Sequence, residues 1–423
     1  MQPVTEAQRI ESLDVLRGFA LLGILLVNII TMGMHSFAAN DPGLDLSVDH
    51  INPDLVSWFS VELFAEGIMR SLFSMLFGAG VLLFTTGESG KGAYLHYKRT
   101  FWLLTFGLFD AFILLWDGDI LVTYALAGAL LYWVKNFSAK WLMVMATILL
   151  ILISLYYVVT THQLETAHQA SITVAQAKAP ETLPESIQTQ AKEWHEFVAE
   201  GQFNEAELDY ELAQRRAGYT TAFFWYGRES LSSLIYIPTG LFWDALVMML
   251  IGMVLYKTGV LQGRYSQSFY LKLMLAGFAV SLVVNLYEVS VSLRNNFDAL
   301  AISLQTPPTY EIGRLAMALG YICLLIWLTH RETLLGLRQG LAAVGRMALT
   351  NYLMQSLFAL IIFTGVGFAL VGELSRASLY LVVFAIWMFQ LWFSQWWLTR
   401  YRFGPVEWLW RALTYGERPP MVR

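Results

Sequence analysis

The chain has 423 residues, of which 57% are hydrophobic and only 14% are charged. A soluble domain typically carries about 25% charged residues, so this composition excludes a single soluble core and predicts a protein that resides in lipid. The formal net charge is −5. Because Cys323 is the only cysteine, a disulfide within the chain and a thiolate metal cage are excluded.

Ten apolar runs are close to the roughly 20 residues that a helix needs to cross the hydrocarbon core. They lie at 13–31, 69–87, 100–116, 118–135, 141–160, 234–256, 268–287, 312–329, 345–370 and 377–397. Because the first run lacks a small-residue cleavage site, we expect it to be retained as a span. The predicted fold class is all-α integral membrane, with about ten transmembrane helices.

Lysine and arginine predict the orientation of these helices, because cytoplasmic loops of membrane proteins are enriched in both. Loops that carry them alternate with loops that do not, and residues 32–68 contain none. The basic positions are Lys91, Lys98, Arg99, Lys135, Lys140, Lys257, Arg264, Lys272, Arg331, Arg338, Arg346, Arg400, Arg402, Arg411, Arg418 and Arg423. The alternation predicts that both termini lie in the cytoplasm.

Residues 161–233 differ from the rest, since they are rich in Gln, Glu and Ala. We predict that they form a helical extracytoplasmic cap. The chain is then divided into a first bundle (1–160), the cap (161–233), a second bundle (234–398) and a cytoplasmic interfacial tail (399–423). LFGAGVLLFTTG at 76–87 also resembles LIGMVLYKTG at 250–259, which indicates either an internal repeat or two similar lipid-facing helices.

The first group of candidate functional residues lies on the opening span, because ionisable groups inside spans cost about 2.5–3.5 kcal/mol each on insertion scales. Asp14 and Arg17 share one helix face at the cytoplasmic end. They form either an ion pair that anchors the helix or a contact to an anion or cofactor. Asn28 lies near the outer end, and His35 in the following loop is either a general base or a solvated side chain.

The second group is WDGDILVTYAL at 116–126. Asp117 and Asp119 lie in a tight turn between two spans, where close carboxylates can act as proton donor and acceptor or bind a hydrated cation. Helix capping is the alternative role. Asp110 lies deeper in the preceding span and adds to a polar cavity there.

The third and fourth groups lie near the C-terminus. Asn351 and Gln355 share a helix face and either bind a ligand or join helices, with Arg346 at the cytoplasmic end of that span. The tail, which contains Arg411, reads as an interfacial amphipathic helix that can close the cytoplasmic mouth of a pocket. The sequence contains no nucleotide-binding loop and no zinc-protease motif, so nucleotide hydrolysis and metalloprotease chemistry have no support.

Five motifs, in order, resemble those of the YeiB-like membrane proteins, a bacterial inner-membrane family described as a domain of unknown function (418). They are SLDVLRGFALLGILLVNI at 12–29, FSMLFGAG at 73–80, WDGDIL at 116–121, GRMALTNYLMQS at 345–356 and GPVEWLWRALTYG at 404–416. The family is distantly similar to membrane acyltransferases of the heparan-glucosaminide acetyltransferase type. Their S-x-D-x-x-R-G motif and later Asn match Ser12, Asp14, Arg17, Gly18 and Asn28, and His35 matches only loosely.

The resemblance implies a membrane acyltransferase that moves an acyl group from cytoplasmic acyl-CoA to an extracytoplasmic glycan or lipid. Asp14, Arg17, Arg346 and Arg411 would bind the CoA moiety, and Asp110, Asn351 and Gln355 would contact the substrate. Asn28 and Asn351 would polarise the thioester, with His35, Asp117 or Asp119 as the base. Membrane lipids and a homodimer are the partners considered, and neither nucleic acid nor a metal is expected.

Two other functions remain open at this point. The same polar groups could form the site of a transporter for a small solute or ion, with Asp110 and Asp117 relaying protons or cations. The lack of a clear proline break in any span weighs against that reading, because transporter sites use broken helices. The protein could also bind lipids or a partner through the cap, without turnover.

Overall fold

The computed structural model describes residues 10–39, 42–86, 92–201, 205–329 and 334–423. Within these ranges the chain forms 17 α-helices and no β-strand beyond one bridge between Tyr401 and Val422. The helices before residue 220 are α1 (Glu11–Gly33), α2 (Pro53–Phe64), α3 (Ile68–Thr86), α4 (Ala93–Phe112), α5 (Leu121–Val134), α6 (Ala139–Gln176), α7 (Glu185–Gly201), α8 (Glu205–Arg216) and α9 (Tyr219–Tyr236). Those that follow are α10 (Leu241–Lys257), α11 (Gln267–Arg294), α12 (Ala299–Gln305), α13 (Pro307–Thr329), α14 (Leu335–Arg346), α15 (Ala348–Phe363), α16 (Arg376–Arg400) and α17 (Pro405–Tyr415).

The predicted class, an all-α protein with several membrane spans, is confirmed. In the described ranges, 6 helices are long and apolar enough to cross a membrane, and the number rises to 8 if each of two bent pairs is one span. The bent pairs are α9 with α10, at 57°, and α14 with α15, at 84°. Each predicted run overlaps a helix, but α5 has only 14 residues and α4 carries three charged residues. The count of ten spans therefore stays a prediction.

Short polar side chains define where several of these helices begin. Ser138, Ser266 and Ser375 each accept a hydrogen bond from a backbone N–H in the first turn of α6, α11 and α16. Asn52 does the same for α2, with Pro53 at the first helical position. These residues satisfy N–H groups that a helix cannot satisfy itself, so the helix starts are encoded locally.

A very close approach between helices joins α1 to α14 through two glycines. A Cβ atom on Gly18 would lie 2.0 Å from the backbone oxygen of Leu341, and one on Gly345 would lie 1.9 Å from that of Asp14. Only glycine fits at such distances, and contacts of this kind are typical of helix pairs in membranes. Because Arg17 precedes Gly18 and Arg346 follows Gly345, this contact places both arginines at the same end of the helix pair.

A second glycine contact joins α3 to α10. A Cβ on Gly78 would lie 2.1 Å from the oxygen of Met249, and one on Gly252 would lie 1.8 Å from that of Met75. The two glycines occupy the third position of the two similar segments at 76–87 and 250–259, of which Gly87 lies outside the described residues. The internal similarity therefore marks two helices that pack on each other, and not two helices that face lipid.

The basic loops meet on one face of the bundle, which we call the basic face. Ser12 Oγ donates to the backbone oxygen of Leu261 at 3.1 Å, and Lys257 Nζ donates to that of Lys135 at 2.8 Å. Trp410 Nε1 in the tail donates to the oxygen of Arg99 at 2.9 Å, and Arg338 pairs with Glu11 at 2.8 Å. Lys91 and Arg331, two of the basic positions used to predict orientation, lie outside the described residues.

The other ends of the helices form the opposite face, where Arg215 of α8 anchors the cap to the bundle. Its guanidinium donates to the carbonyl oxygens of Thr31, Met32 and Met34 at 2.7–2.9 Å and pairs with Glu211 at 2.7 Å. Arg215 is 1% exposed. A cation at a helix C-terminus satisfies the last carbonyls and the helix dipole, so this buried side chain fixes the end of α1.

The segment predicted as a cap is helical, but its boundaries cut through helices. α6 continues past residue 160 to Gln176, and α7 packs back on it with the rings of His168 and Trp194 4.5 Å apart. α9 belongs to the bundle as well as to the cap, because Ser230 Oγ donates to the oxygen of Ala111 on α4 at 3.1 Å. The composition indicated the polar parts of α6 and α9, but it did not indicate that both helices continue into the apolar bundle.

We predict that Gly345→Ala destabilises the protein by about 1–3 kcal/mol, the usual effect of forcing an extra methyl into a packed contact. The new Cβ would meet backbone and not a flexible side chain. Gly336→Ala on the same helix is the matched control, because nothing lies within 4 Å of its Cβ position. It should be neutral or stabilising by up to about 1 kcal/mol. Thermal unfolding in detergent measures both, and equal midpoints would contradict the glycine contact.

Candidate functional site

A cavity of about 280 Å³ lies at the basic face, enclosed by six parts of the chain. Its walls come from α1, α3, α4, α5, the bend between α14 and α15, and the tail helix α17. Apolar side chains form most of the interior, among them Phe73, Leu76, Phe77, Leu103 and Leu121. The cavity is therefore amphipathic, with its charged groups gathered near the basic face.

Four arginines line this cavity: Arg17, Arg99, Arg346 and Arg411. Arg17 Nη1 lies 3.1 Å from Asp14 Oδ1, so the predicted ion pair exists. The guanidinium of Arg99 lies between two rings, 4.6 Å from the centroid of Phe84 and 4.3 Å from that of Trp410. The only carboxylates among the lining residues are Asp14 and Glu407, which leaves an excess of two positive charges for an anion.

Glu407 is held by the bend between α14 and α15. Its carboxylate accepts from the backbone N–H groups of Leu349 and Thr350 at 2.7 and 2.9 Å and from the Thr350 hydroxyl at 2.6 Å. Burial raises the pKa of Glu407, and the hydrogen bonds from Thr350 and Leu349 act in the opposite direction. The tail thus caps the N-terminus of α15. This contact brings together the two motifs at 345–356 and 404–416.

The deep end of the cavity is formed by Tyr124, Leu121 and Tyr352. The Tyr352 hydroxyl accepts from the backbone N–H of Ile120 at 3.1 Å and donates to Asp119 Oδ1 at 3.4 Å. Asp119 Oδ2 in turn accepts from the N–H of Val122 at 2.9 Å. Asp119 therefore caps α5, as the capping alternative requires, and lies directly behind a tyrosine of the cavity wall.

Asp110 is the carboxylate that faces Asp119. It is 0% exposed, and neither of its oxygens has a hydrogen-bond partner in the described part of the chain. It interacts electrostatically with Asp119 and lies beside Ser356. Asp117, which the spacing paired with Asp119, interacts instead with Arg215 at the opposite face. The two carboxylates that interact are therefore Asp110 and Asp119. Asp117 and Asp119 are close in sequence, but the turn that follows α4 places them on different sides.

Asn351 and Gln355 lie in a polar network between α15 and α16, and neither lines the cavity. Asn351 Nδ2 donates to Ser394 Oγ at 2.9 Å, and Gln390 Nε2 donates to the backbone oxygen of Asn351 at 2.8 Å. Gln355 Nε2 donates to Gln390 Oε1 at 3.2 Å. These contacts fit the role of joining helices, which was the alternative to ligand binding for both residues.

Asn28 and His35 are not brought to the cavity. About 24 Å of helix separates Arg17 from Gly33 at 1.5 Å per residue, and His35 follows Gly33 on the opposite face. There His35 Nε2 lies 3.1 Å from Asp45 Oδ2. Asn28 is half-buried and does not line the cavity. The predicted catalytic and cofactor residues therefore divide between two ends of the bundle.

Sequence reasoning missed Arg99, Glu407 and Tyr352 as members of one site. Arg99 was interpreted only as a loop charge, although a cation followed by an apolar run is also typical of the entrance to a cavity. Glu407 is the only acidic residue of the amphipathic tail helix, which could have singled it out. Tyr352 sits within the motif GRMALTNYLMQS, but nothing in its spacing indicates that it meets the turn at 116–120.

A buried ionic network lies between α3, α10 and α13, apart from the cavity. Arg314 contacts both Asp244 and Glu311, and Arg70 Nε lies 3.4 Å from Asp244 Oδ2. The Tyr310 hydroxyl donates to Glu66 at 3.0 Å. The charges are paired with one another, as buried charges must be, so this network holds the helices together.

The fold and this cavity define a multi-pass helical membrane protein with an amphipathic, cationic cavity at one face. Residues 255–417 match the family model described as "Protein of unknown function (DUF418)", which supports the resemblance to the YeiB-like proteins. The matched region supplies α14, α15 and α17, which form one side of the cavity.

Three bacterial proteins are similar to the chain over nearly its whole length. "Uncharacterized protein YxaH" of Bacillus subtilis (strain 168) is 29% identical over 100% of this chain and 98% of that protein. "Uncharacterized protein YeiB" of Escherichia coli (strain K12) is 28% identical over 98% of each. The "Uncharacterized 39.9 kDa protein in amylase 3'region" of Bacillus acidopullulyticus is 28% identical over 100% of this chain and 98% of its own length. No solved structure matches.

We predict that Glu407→Ala lowers the free energy of unfolding by about 1–3 kcal/mol, because it leaves two N–H groups and a hydroxyl at the start of α15 unsatisfied. The tail should also become more sensitive to limited proteolysis, since its anchor is lost. Glu417→Ala, at an exposed position of the same tail, is the control and should change neither measurement. A variant as stable and as resistant as the control would show that the tail does not cap α15.

Proposed function

We propose that the protein is a membrane acyltransferase of the bacterial inner membrane that takes its acyl group from cytoplasmic acyl-CoA. Its acceptor is extracytoplasmic or lipid-borne. In this proposal the basic face is cytoplasmic, as positive loops indicate. The observation that carries the proposal is the cavity itself, which combines a cationic mouth with an apolar interior in one continuous site.

The mouth suits the phosphate groups of a CoA thioester. Guanidinium groups bind phosphate through paired, charge-assisted hydrogen bonds, and Arg17, Arg346 and Arg411 all line the cavity. Arg99, stacked on Trp410, adds a fourth cation and an aromatic surface. The two carboxylates offset only part of this charge, because four arginines line the cavity and only Asp14 and Glu407 oppose them.

The interior suits an acyl chain or the pantetheine arm that carries it. Its volume of about 280 Å³ is near the lower end of the range of small-molecule pockets, which runs from about 300 to 1,000 Å³. A nucleotide would therefore remain at the mouth, among the arginines, while the thioester end enters between Phe73, Phe77 and Leu121. This division of polar and apolar parts is what an amphipathic donor requires.

The deep end offers the groups that acyl transfer needs. An acceptor hydroxyl or amine must lose a proton as it attacks, and a positioned carboxylate can take it. Asp119 lies behind Tyr352, whose hydroxyl bridges the wall of the cavity and the carboxylate. In this proposal the Tyr352 hydroxyl is the polar group of the cavity wall nearest the thioester, and it connects the wall to Asp119. Asn28, Asn351 and His35 have no role in it, because none of them lines the cavity.

A transporter for a small solute or ion is the second candidate, favoured by the two bent helix pairs. Broken helices whose half-helix ends meet a substrate are a feature of transporter sites, and α14 turns into α15 by 84°. The N-terminus of α15, however, is already occupied by the carboxylate of Glu407, which leaves fewer free N–H groups for a transported anion.

We predict that Arg346→Gln and Arg411→Gln each weaken acyl-CoA binding by about 10- to 100-fold. The reason is that a hydrogen bond to a charged group contributes about 1.5–3 kcal/mol. Arg402→Gln is the matched control, because Arg402 lies on the same tail, is exposed and does not line the cavity. Equilibrium binding of acetyl-CoA and palmitoyl-CoA to the purified protein measures the effect. Failure of the wild-type protein to bind either donor at millimolar concentration would remove the proposal.

The transporter reading makes a different prediction, which flux measurements in proteoliposomes decide. If the site carries protons or cations, wild-type protein should dissipate an imposed gradient and Asp119→Asn should abolish that flux, because the neutral amide cannot exchange a proton. Asp117→Asn, in the same turn but directed to the opposite face, is the control. Identical flux with wild-type protein, with both variants and with empty vesicles rules this reading out.

A further inference from the structure

Behind the deep wall of the cavity lies a group of buried polar atoms that the donor site does not use. Both carboxylate oxygens of Asp110, Oγ of Ser356 and Nε1 of Trp116 are buried and make no hydrogen bond of normal geometry in the described ranges. Ser356 and Asp119 nevertheless lie next to Asp110, and Trp116 lies next to Tyr352. Asp110 is 0% exposed and Ser356 is 1% exposed. Asp119 completes the group, facing Asp110 on one side and Tyr352 on the other.

Unpartnered polar atoms at such depth need an occupant. Buried polar side chains are almost always hydrogen-bonded, and the exceptions point to a ligand, a water or a functional role. A buried carboxylate without a partner is especially unfavourable, because it loses its hydration and gains nothing in return. Asp110 lacks a hydrogen bond of normal geometry, and Asp119 beside it is a second buried carboxyl group with which it interacts.

The atoms that are present indicate the kind of ligand. In the part of the chain that the structure describes, no group of three or more His, Cys, Asp or Glu side chains is placed to hold a metal ion. Two carboxylates and a hydroxyl are mainly hydrogen-bond acceptors. They therefore suit a ligand that brings its own hydrogens, such as a primary alcohol or an ammonium group.

The position of the group between the two faces indicates where such a ligand enters. On one side Tyr352 separates Asp119 from the donor cavity. On the other, the turn at 113–120 lies towards the opposite face, where Asp117 interacts with Arg215 and the Tyr219 hydroxyl donates to the oxygen of Ile113 at 3.0 Å. A ligand from the opposite face would thus meet the carboxylates before it meets the donor.

We propose that Asp110 and Asp119 form the binding site for the acyl acceptor, a small alcohol or amine head group that enters from the opposite face. This inference rests on the proposed acyl transfer and adds the class of acceptor and its site. The pair is catalytic in this role, since its carboxylates contact the reacting hydroxyl or amine.

The transfer step balances with these groups alone. One carboxylate of the pair removes the proton from the acceptor O–H or N–H, and the acceptor atom forms a bond to the carbonyl carbon of the thioester. The carbon–sulfur bond then breaks, and the CoA thiolate leaves with the electron pair. The proton passes from the carboxylate to the thiolate, so the products are the acylated acceptor and CoA thiol, and the carboxylate is regenerated.

A test of acceptor binding that needs no donor is carbodiimide labelling of the detergent-solubilised protein, read by mass spectrometry. We expect dicyclohexylcarbodiimide to modify Asp110 or Asp119, and ethanolamine or glycerol to reduce that modification, where any ethanolamide formed at these carboxyl groups is counted as modification. Tetramethylammonium, a cation without N–H or O–H groups, should not protect. No modification at either position, or modification that neither ethanolamine nor glycerol reduces, overturns the proposal, as does equal protection by tetramethylammonium.

A second measurement separates this inference from the proposed function. With acetyl-CoA and each acceptor probe, Asp110→Asn and Asp119→Asn should lower acceptor-dependent release of CoA thiol by about 100-fold or more, the usual range for a general base. Their affinity for acetyl-CoA should be unchanged, which also shows that the variants fold. Asp209→Asn, which changes an exposed aspartate of α8, is the control and should keep both. Unchanged thiol release in the two variants overturns the acceptor site but does not affect the proposed donor site. Protection from carbodiimide labelling without any binding of acetyl-CoA overturns the proposed donor but not the acceptor site.

Discussion

The contact between Gly18 and Gly345 is the constraint on which the cavity depends. It brings the backbones of α1 and α14 within touching distance, which no residue with a side chain would permit. Each glycine is next to an arginine of the cavity, so the same contact that packs the helices also sets the spacing of Arg17 and Arg346. Helix pairs in lipid gain their stability from such close van der Waals packing and not from hydrophobic burial. The packing of α1 against α14 therefore also determines how far apart two cationic groups of the cavity lie.

The C-terminal tail completes what this contact begins. Glu407 holds the start of α15, Trp410 covers Arg99, and Arg411 contributes to the lining. Residues from both ends of the chain thus enclose one cavity, and the bend between α14 and α15 exists where the tail supplies the hydrogen bonds that a broken helix lacks. A tail that only anchored the protein to the membrane surface would not need a carboxylate that binds the start of α15.

The polar groups of the bundle divide into two faces with Tyr352 between them. Cations gather at the basic face, around the cavity, and the cap closes the opposite face through Arg215. Between these faces both carboxylate oxygens of Asp110 lack a hydrogen bond of normal geometry, whereas the carboxylate of Asp244 is paired with Arg70 and Arg314. This difference between the two buried carboxylates directs attention to the Asp110–Asp119 pair.

Much of the architecture follows from the sequence alone. Apolar runs of about 20 residues predict helices, and each predicted run overlaps one in the structure. Loop charges predicted that Arg17, Arg346 and Arg411 share one end of the bundle, because the positive loops of a multi-pass protein collect on one side. The Asp14–Arg17 pair follows from helical spacing. These features depend only on neighbours in the chain or on overall charge.

The rest was decided by tertiary structure. Spacing along the chain paired Asp117 with Asp119, yet the turn directs Asp117 to Arg215 and Asp119 to Asp110, whose helix ends before the turn. Likewise, nothing in the sequence around Asn351 indicates that it would form hydrogen bonds with Ser394 and Gln390, or that Glu407 would cap α15. Composition and periodicity determine which segments enter the membrane and which end of each is charged. Which polar side chains meet depends on how the helices are rotated against each other, and that is set by long-range contacts such as those of Gly18 and Gly345.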